Sequence, residues 1–275
     1  MLKGRIQVVK LGGSLLTHKD RTATFRTGSA RRLAREIAHY GGPVVLLHGT
    51  GSYGKPPARQ YGYEDGFLPR SRGDVVAEVS AQLHVLRGRV LDALSQVGVH
   101  VYGLSAAALF ETRTGEITYC NAGPVLGLVE REMVPVISGE IVLDHLRDFA
   151  VCSSDAMAAR LAVELGAERL ILATDTPGLM RYQAGQITLV EKIDPADAGL
   201  AQWIQPTDDV SGGMAAKLAA GFGAARAGIE TLIIDGRVRG RLLEALSGLM
   251  VPGTRLLADA DGRASEVEGH SACAD

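Results

Sequence analysis

One repeated order constrains the fold more than anything else in this sequence: a short apolar run, a glycine turn, then apolar residues at helical spacing. Residues 6–9 run into Lys10-Leu11-Gly12-Gly13-Ser14, after which Ala30, Leu33, Ala34 and Ile37 recur at helical spacing and Gly41-Gly42 stops the pattern. Residues 43–47 are a second apolar run of the kind buried in a parallel sheet, and they feed into His48-Gly49-Thr50-Gly51-Ser52-Tyr53-Gly54-Lys55. Val76, Val79, Leu83, Leu86, Val90, Leu94 and Val97 mark a long amphipathic helix ending near Gly98, followed by a strand over 99–104. Residues 134–137 form another buried-strand run, ending in Ser138-Gly139-Glu140. Ser153 or Ser154 then caps a helix that Gly166 ends. A strand over 169–173 leads into the turn Thr174-Asp175-Thr176-Pro177-Gly178. Beyond it the pattern predicts a strand over 187–193, a helix over 213–227, a strand over 231–234 and a short helix over 240–247. This alternation predicts an α/β protein with a mostly parallel central sheet and helices on both faces, a three-layer αβα sandwich.

Composition narrows the class. With 275 residues and 46% hydrophobic content the chain has ample material for one large core. Twenty-nine basic and 31 acidic residues leave a formal charge of −2, which gives no bulk attraction to nucleic acid or to an acidic membrane surface. Any anion must therefore be bound locally. Cys120, Cys152 and Cys273 are scattered and odd in number, without metal-ligand spacing, so neither a disulfide framework nor a zinc site is expected. No apolar stretch reaches the roughly 18 residues of a membrane span, and the expected location is the cytoplasm. Residues 111–119 alternate around Thr114-Gly115 as a hairpin that either covers a site or decorates a sheet edge. Residues 1–257 read as one domain, dividing near 150 into two halves, and 258–275 as a polar, disordered tail.

Chemistry concentrates at the glycine turns. Backbone N–H groups left free at such turns surround phosphate oxygens, and a lysine beside them adds a compact positive charge. Gly12, Gly13 and Ser14 with Lys10 form one such loop, and Gly49, Gly51, Ser52 and Gly54 with Lys55 form a second. Lys217 follows Gly213 by four residues; helical side chains lean toward the N-terminus, so its ammonium can reach an anion at the helix start. Each motif alone is equally an ordinary turn or a solvated lysine. Lone His48 at a strand end reads as a hydrogen-bonded structural residue. Val76, Val79, Leu83 and Leu86 read as core, with an apolar pocket as the other option.

Taken in register, Lys-Leu-Gly-Gly-Ser, His-Gly-Thr-Gly-Ser-Tyr-Gly, Ser-Gly-Glu, Ser-Ser-Asp, Ala-Thr-Asp-x-x-Gly and Asp-Val-Ser-Gly-Gly-Met-x-x-Lys make residues 6 to about 257 resemble the amino acid kinase superfamily. Within it the chain is most similar to isopentenyl phosphate kinases and more loosely to fosfomycin kinases. The resemblance implies transfer of the ATP γ-phosphoryl group, with Mg²⁺, to a small anionic acceptor, by a homodimer. It implies that Lys10 and Lys217 stabilise the transferred group and that Asp155 holds both lysines. Gly12, Gly13, Ser14, Thr174, Asp175, Gly178, Asp209, Gly212 and Gly213 would face the nucleotide, most of them in the half after residue 150. Gly49, Gly51, Ser52, Gly54, Lys55 and Gly139 would face the acceptor. Where those kinases close the first acceptor loop with a histidine, this chain has Lys55; where they commonly have aspartate, it has Glu140; and Thr176-Pro177 replaces a more usual Val-Asp. An ionised phosphate or phosphonate acceptor needs no general base, and none stands out here. The resemblance leaves three readings open: a kinase of a phosphate-bearing acceptor, a kinase of a phosphonate or other specialised metabolite, and a non-catalytic nucleotide-binding sensor or storage protein.

Overall fold

A computed structural model of the chain describes residues 5–183, 185–197 and 213–258. Its centre is β1 (Gln7–Leu11), buried along its whole length as a run without polar alternation requires. On one side β1 pairs with β2 (Val44–His48), which leads to β7 (Val134–Ser138) and β4 (Val101–Leu104). On the other it pairs with β10 (Arg169–Thr174), then β14 (Glu230–Asp235), β15 (Gly253–Leu256) and β13 (Lys192–Ile193). Every neighbouring pair in this eight-stranded sheet is parallel except β14–β15.

Alternation along the strands separates two cores. Val8, Leu47, Ile137 and Leu172 face one side, packing against α5 (Gly123–Val129), α6 (Ser154–Glu164) and α7 (Gly213–Arg226). Val9, Leu46, Val136 and Ile171 face the other, against α1 (Gly13–Leu16), α2 (Thr27–Tyr40), α4 (Gly73–Ser95) and α8 (Arg241–Leu246). Leu46, Leu47, Leu161 and Leu33 have no measurable exposure, and each such side chain contributes about 1.5–3 kcal/mol on burial. The three expected layers are present.

A second sheet lies beside the first, in the order β3 (Phe67–Leu68), β9 (Asp148–Cys152), β8 (Glu140–Asp144), β5 (Phe110–Arg113) and β6 (Glu116–Cys120). The hairpin expected around Thr114-Gly115 is β5–β6, with both turn residues at positive φ, and β6 is the outer edge of this sheet. The β8–β9 hairpin has no glycine or proline at its turn. Asp144 does that work: its carboxylate accepts the N–H groups of Leu146, Arg147 and Gly115 and the Thr112 hydroxyl. A third core, with Tyr53, Tyr63, Val79, Leu83 and Ile141, joins this sheet to α4 and to α3 (Lys55–Tyr61).

Two expectations change. Residues 187–193 are two elements, since β12 (Gln186–Leu189) pairs with β11 (Met180–Gln183) in a separate exposed hairpin whereas β13 enters the main sheet. Lys55, expected to close a loop, opens α3, because Pro56 and Pro57 sit in the first helical turn, where proline's missing N–H is harmless. Asp209, Gly212 and residues 259–275 lie outside the described residues.

Candidate active site

The strand order reverses at β1, since the chain next extends the sheet to one side through β2 and later to the other through β10. Such a switch point opens a crevice at the carboxyl ends of parallel strands. Here the strands end in a row of glycine turns that continue the ladder: Gly12 N–H donates to Ala173 O at 2.8 Å, Gly49 N–H to Leu11 O at 2.9 Å and Gly139 N–H to His48 O at 2.9 Å. The first two turns interlock. A Cβ on Gly49 would come within 2.8 Å of Gly13 N, and one on Gly13 would overlap the Gly51 backbone, so both positions exclude a side chain. Thr17 pins them: its hydroxyl donates to Gly13 O at 2.9 Å and accepts the Ser52 N–H at 2.9 Å.

Lys10 and Lys217 converge on one carboxylate in this crevice. Lys10 shares the β1 face of Val8 and so turns toward α6, whose first turn carries Asp155; the Ser153 side chain caps that helix by accepting the Asp155 N–H. Lys10 Nζ donates to Asp155 Oδ2 at 2.8 Å, and Lys217 Nζ, leaning back along α7, donates to Oδ1 at 2.6 Å. All three are about 95% buried. Burial pushes the Asp155 carboxyl up, but the two ammonium groups outweigh it and bring it down to about 2. Burial and the Lys10 charge pull Lys217 down to about 8 against the attraction of Asp155.

Around this triad lies a cleft of about 690 Å³. The described residues lining it carry five cations, Lys10, Lys19, Lys55, Arg59 and Lys217, against two carboxylates, Asp155 and Asp175. Among the described residues, that balance suits a multiply charged anion. Of the positions singled out from the sequence, Gly12, Gly13, Ser14, Gly49, Gly51, Ser52, Lys55, Gly139, Thr174, Asp175 and Gly213 also line the cleft. Gly178 does not: it packs against Thr254, and a Cβ there would crowd the Thr254 backbone. Gly54 instead borders a smaller adjoining cavity, where its turn packs on the Thr50 side chain.

Sequence reasoning passed over Lys19, Thr17 and Arg59. Lys19 sits in the loop after α1 and reaches across to Asp175 at 2.6 Å. Burial pushes the Asp175 carboxyl up, but Lys19 and the Ser14 hydroxyl bring it below the ordinary range. No periodicity marks that loop, so nothing local distinguished Lys19. Arg59 follows Lys55 by four residues on α3, a spacing that would have paired them had the helix been recognised. His48 is wholly buried and pushed down to about 4 by that burial, so its ring is neutral; Nδ1 lies 3.2 Å from Gly49 O, a structural contact. No residue of 111–119 lines the cleft, so the hairpin is an edge element. Among the described residues no three His, Cys, Asp or Glu side chains gather to hold a metal, and Asp155 and Asp175 are both engaged by lysines.

Two lysines fixed by one buried carboxylate, under interlocked glycine turns in an anion-attracting cleft, define a phosphotransferase. The amino acid kinase family matches residues 5–235. This chain belongs to that family and is a kinase. It is 31% identical over 266 residues to the isopentenyl phosphate kinase of Methanothermobacter thermautotrophicus, covering 90% of this chain and 98% of that protein. It is 32% identical over 282 residues to the acetylglutamate kinase of Parasynechococcus marenigrum, covering 91% and 90%. A solved isopentenyl phosphate kinase superposes with a TM-score of 0.79 at 27% identity, covering 91% of this chain and 99% of that one. Among the described residues no helix is long and apolar enough to cross a membrane.

Proposed function

We propose that this kinase moves the γ-phosphoryl group of ATP onto the phosphate of a small alkyl monophosphate of the isopentenyl phosphate class. The observation that carries this reading is the Lys10–Asp155–Lys217 triad at the junction of the two glycine loops. In this reading the nucleotide lies over Thr174, Asp175 and Gly213, in the half after residue 150, with its phosphates reaching Gly12, Gly13 and Ser14 of the first loop. The acceptor phosphate lies over Gly49, Gly51, Ser52 and Gly139, facing Lys55. An acceptor phosphate oxygen attacks the γ-phosphorus, the bond from that phosphorus to the β,γ-bridging oxygen breaks, and ADP leaves with its electron pair. The acceptor oxygen is already ionised, so the transfer asks for charge stabilisation and alignment rather than a base.

Lys10 and Lys217 neutralise the equatorial oxygens of the group in flight, and Asp155 keeps both ammonium groups aimed without reorganisation. Lys19, held by Asp175, is a third cation for the nucleotide's phosphates. Mg²⁺ bound with the nucleotide would supply neutralisation of its phosphates, and among the described lining residues the carboxylates, Asp155 and Asp175, are both engaged by lysines. A single domain over 1–257, a homodimer and a cytoplasmic location complete the proposal, the homodimer supported by family resemblance and the location by the scattered cysteines.

The test is ADP production from ATP and Mg²⁺ with isopentenyl phosphate, other alkyl phosphates, fosfomycin, N-acetylglutamate and simple alcohols as separate acceptors. Turnover of alkyl phosphates above the rest supports the reading. Preference for fosfomycin or N-acetylglutamate moves the enzyme to another acceptor class, and ATP binding without turnover on any acceptor identifies a nucleotide sensor.

A further inference from the structure

Next to the cleft, and sharing Thr50, Lys55 and Val151 with it, is the smaller cavity of about 40 Å³. One buried water needs about 10–15 Å³, so this space takes roughly three non-hydrogen atoms. Tyr63, Val79, Leu83 and Ile141 wall it, and Val79 and Leu83 therefore belong both to the core and to a cavity lining. Lys55 stands on the side shared with the cleft. The other charged group in the lining is Glu140, only 2% exposed.

The two carboxylate oxygens of Glu140 are used unequally. Oε2 accepts the Ala106 N–H at 2.7 Å and the Ser105 hydroxyl at 3.0 Å, and the Arg87 guanidinium lies 3.7 Å from it. Oε1 has His84 Nε2 at 3.7 Å, beyond hydrogen-bond reach. Oε1 thus keeps acceptor capacity beside the cavity that Glu140 lines, where a water or a ligand hydroxyl can donate to it. Arg87 already balances the charge, so the missing partner is a neutral donor rather than a second cation.

We propose that Glu140 is a specificity-determining residue, and that the acceptor this kinase takes is a short-chain alkyl monophosphate bearing a hydroxyl on its tail. This rests on the phosphoryl-transfer reading above. Lys55 takes the phosphate at the mouth, only the far end of the carbon chain enters between Tyr63, Val79, Leu83 and Ile141, and the hydroxyl donates to Glu140 Oε1. The family's more common aspartate at this position is one methylene shorter, and would leave a plain hydrocarbon tail without a polar neighbour at that depth.

The test compares kcat/KM for 3-methylbutyl phosphate with 3-hydroxy-3-methylbutyl and 4-hydroxy-3-methylbutyl phosphates, on the same carbon skeleton. One hydroxylated acceptor is expected to exceed the plain one by about tenfold to a hundredfold, the range for a hydrogen bond to a charged group. In Glu140→Asp that ratio should fall toward one. A wild-type ratio of one or below overturns the proposal, as does a high ratio that Glu140→Asp leaves intact. Calorimetric binding of the same three acceptors without nucleotide reads the same preference in wild-type protein. If no alkyl phosphate turns over, the phosphoryl-transfer reading fails by itself, while these affinities still decide whether Glu140 selects a hydroxyl.

Discussion

Lys217 carries the sharpest residue-level consequences. Removing a preorganised cation from a developing charge typically lowers kcat by about 10²–10³, so Lys217→Ala should lose that much turnover. Its folding should suffer little, because the change also relieves repulsion between two buried ammonium groups; steady-state rates and a thermal melt separate the effects. The group is pulled down to about 8 in the folded protein from an ordinary 10.5, so the unfolded chain binds more protons between those values. Its contribution to stability therefore rises with pH across that window while its charge, and with it the rate, falls. Nucleotide phosphates favour the charged form, so ATP binding at about pH 8.5 should take up protons. Calorimetry in buffers of different ionisation enthalpy should show that uptake, and Lys217→Ala should lack it. Asp155→Asn should behave differently: it strands two buried cations, and breaking such a pair costs about 3–5 kcal/mol. At the acceptor loop, Lys55→His puts in a group that loses its charge near neutrality, so acceptor affinity in that variant should fall relative to wild type as pH rises from about 6 to 8.

At the scale of elements, the site depends on strand ends being locked to one another. Each glycine turn after β1, β2 and β7 is tied to the neighbouring strand by one ladder hydrogen bond, and Thr17 adds a side-chain pin between the β1 and β2 turns. Thr17→Val has nearly the same shape but leaves the Ser52 N–H without its acceptor, at about 1–3 kcal/mol. The melting temperature should fall and KM should rise for nucleotide and acceptor together, whereas Thr17→Ser should restore both. Independent shifts of the two KM values would show that the loops are not coupled through this hydroxyl.

Across the whole molecule, acid is the condition to which this fold should be most sensitive. Asp155 is held at about 2, and Asp144, Asp175 and Asp235 are also held below the ordinary 3.8, the first by four hydrogen bonds and the others by cationic partners. Their stabilisation is present above about pH 4 and is lost as pH falls toward 2, because the unfolded chain takes up the protons first. A melting-temperature profile should therefore drop steeply between pH 4 and 2.

The layers of the fold and one pole of the site were legible in the linear chain; the second sheet and much of the acceptor pole were not. Strands β1, β2, β7, β10 and β14 could be read because parallel strands buried on both faces are continuous apolar runs, and apolar density is a local property. The convergence of Lys10, Asp155 and Lys217 was implied by the resemblance to amino acid kinases that the motif order carries; no local rule pairs them. By contrast, β8 begins and ends in acids that local rules place in solvent. Glu140 and Asp144 are buried only because Ser105, Ala106, Thr112 and Gly115, distant in sequence, supply donors. Lys19 and Arg59 join the site through loops and a helix whose positions follow from packing. The sequence by itself determined what each strand buries and where each turn leaves N–H groups free, because those depend on neighbours a few residues away. Only the tertiary structure decided that Lys19 meets Asp175 and that Glu140 and Asp144 find donors inside the fold, because those pairings span dozens to more than a hundred residues.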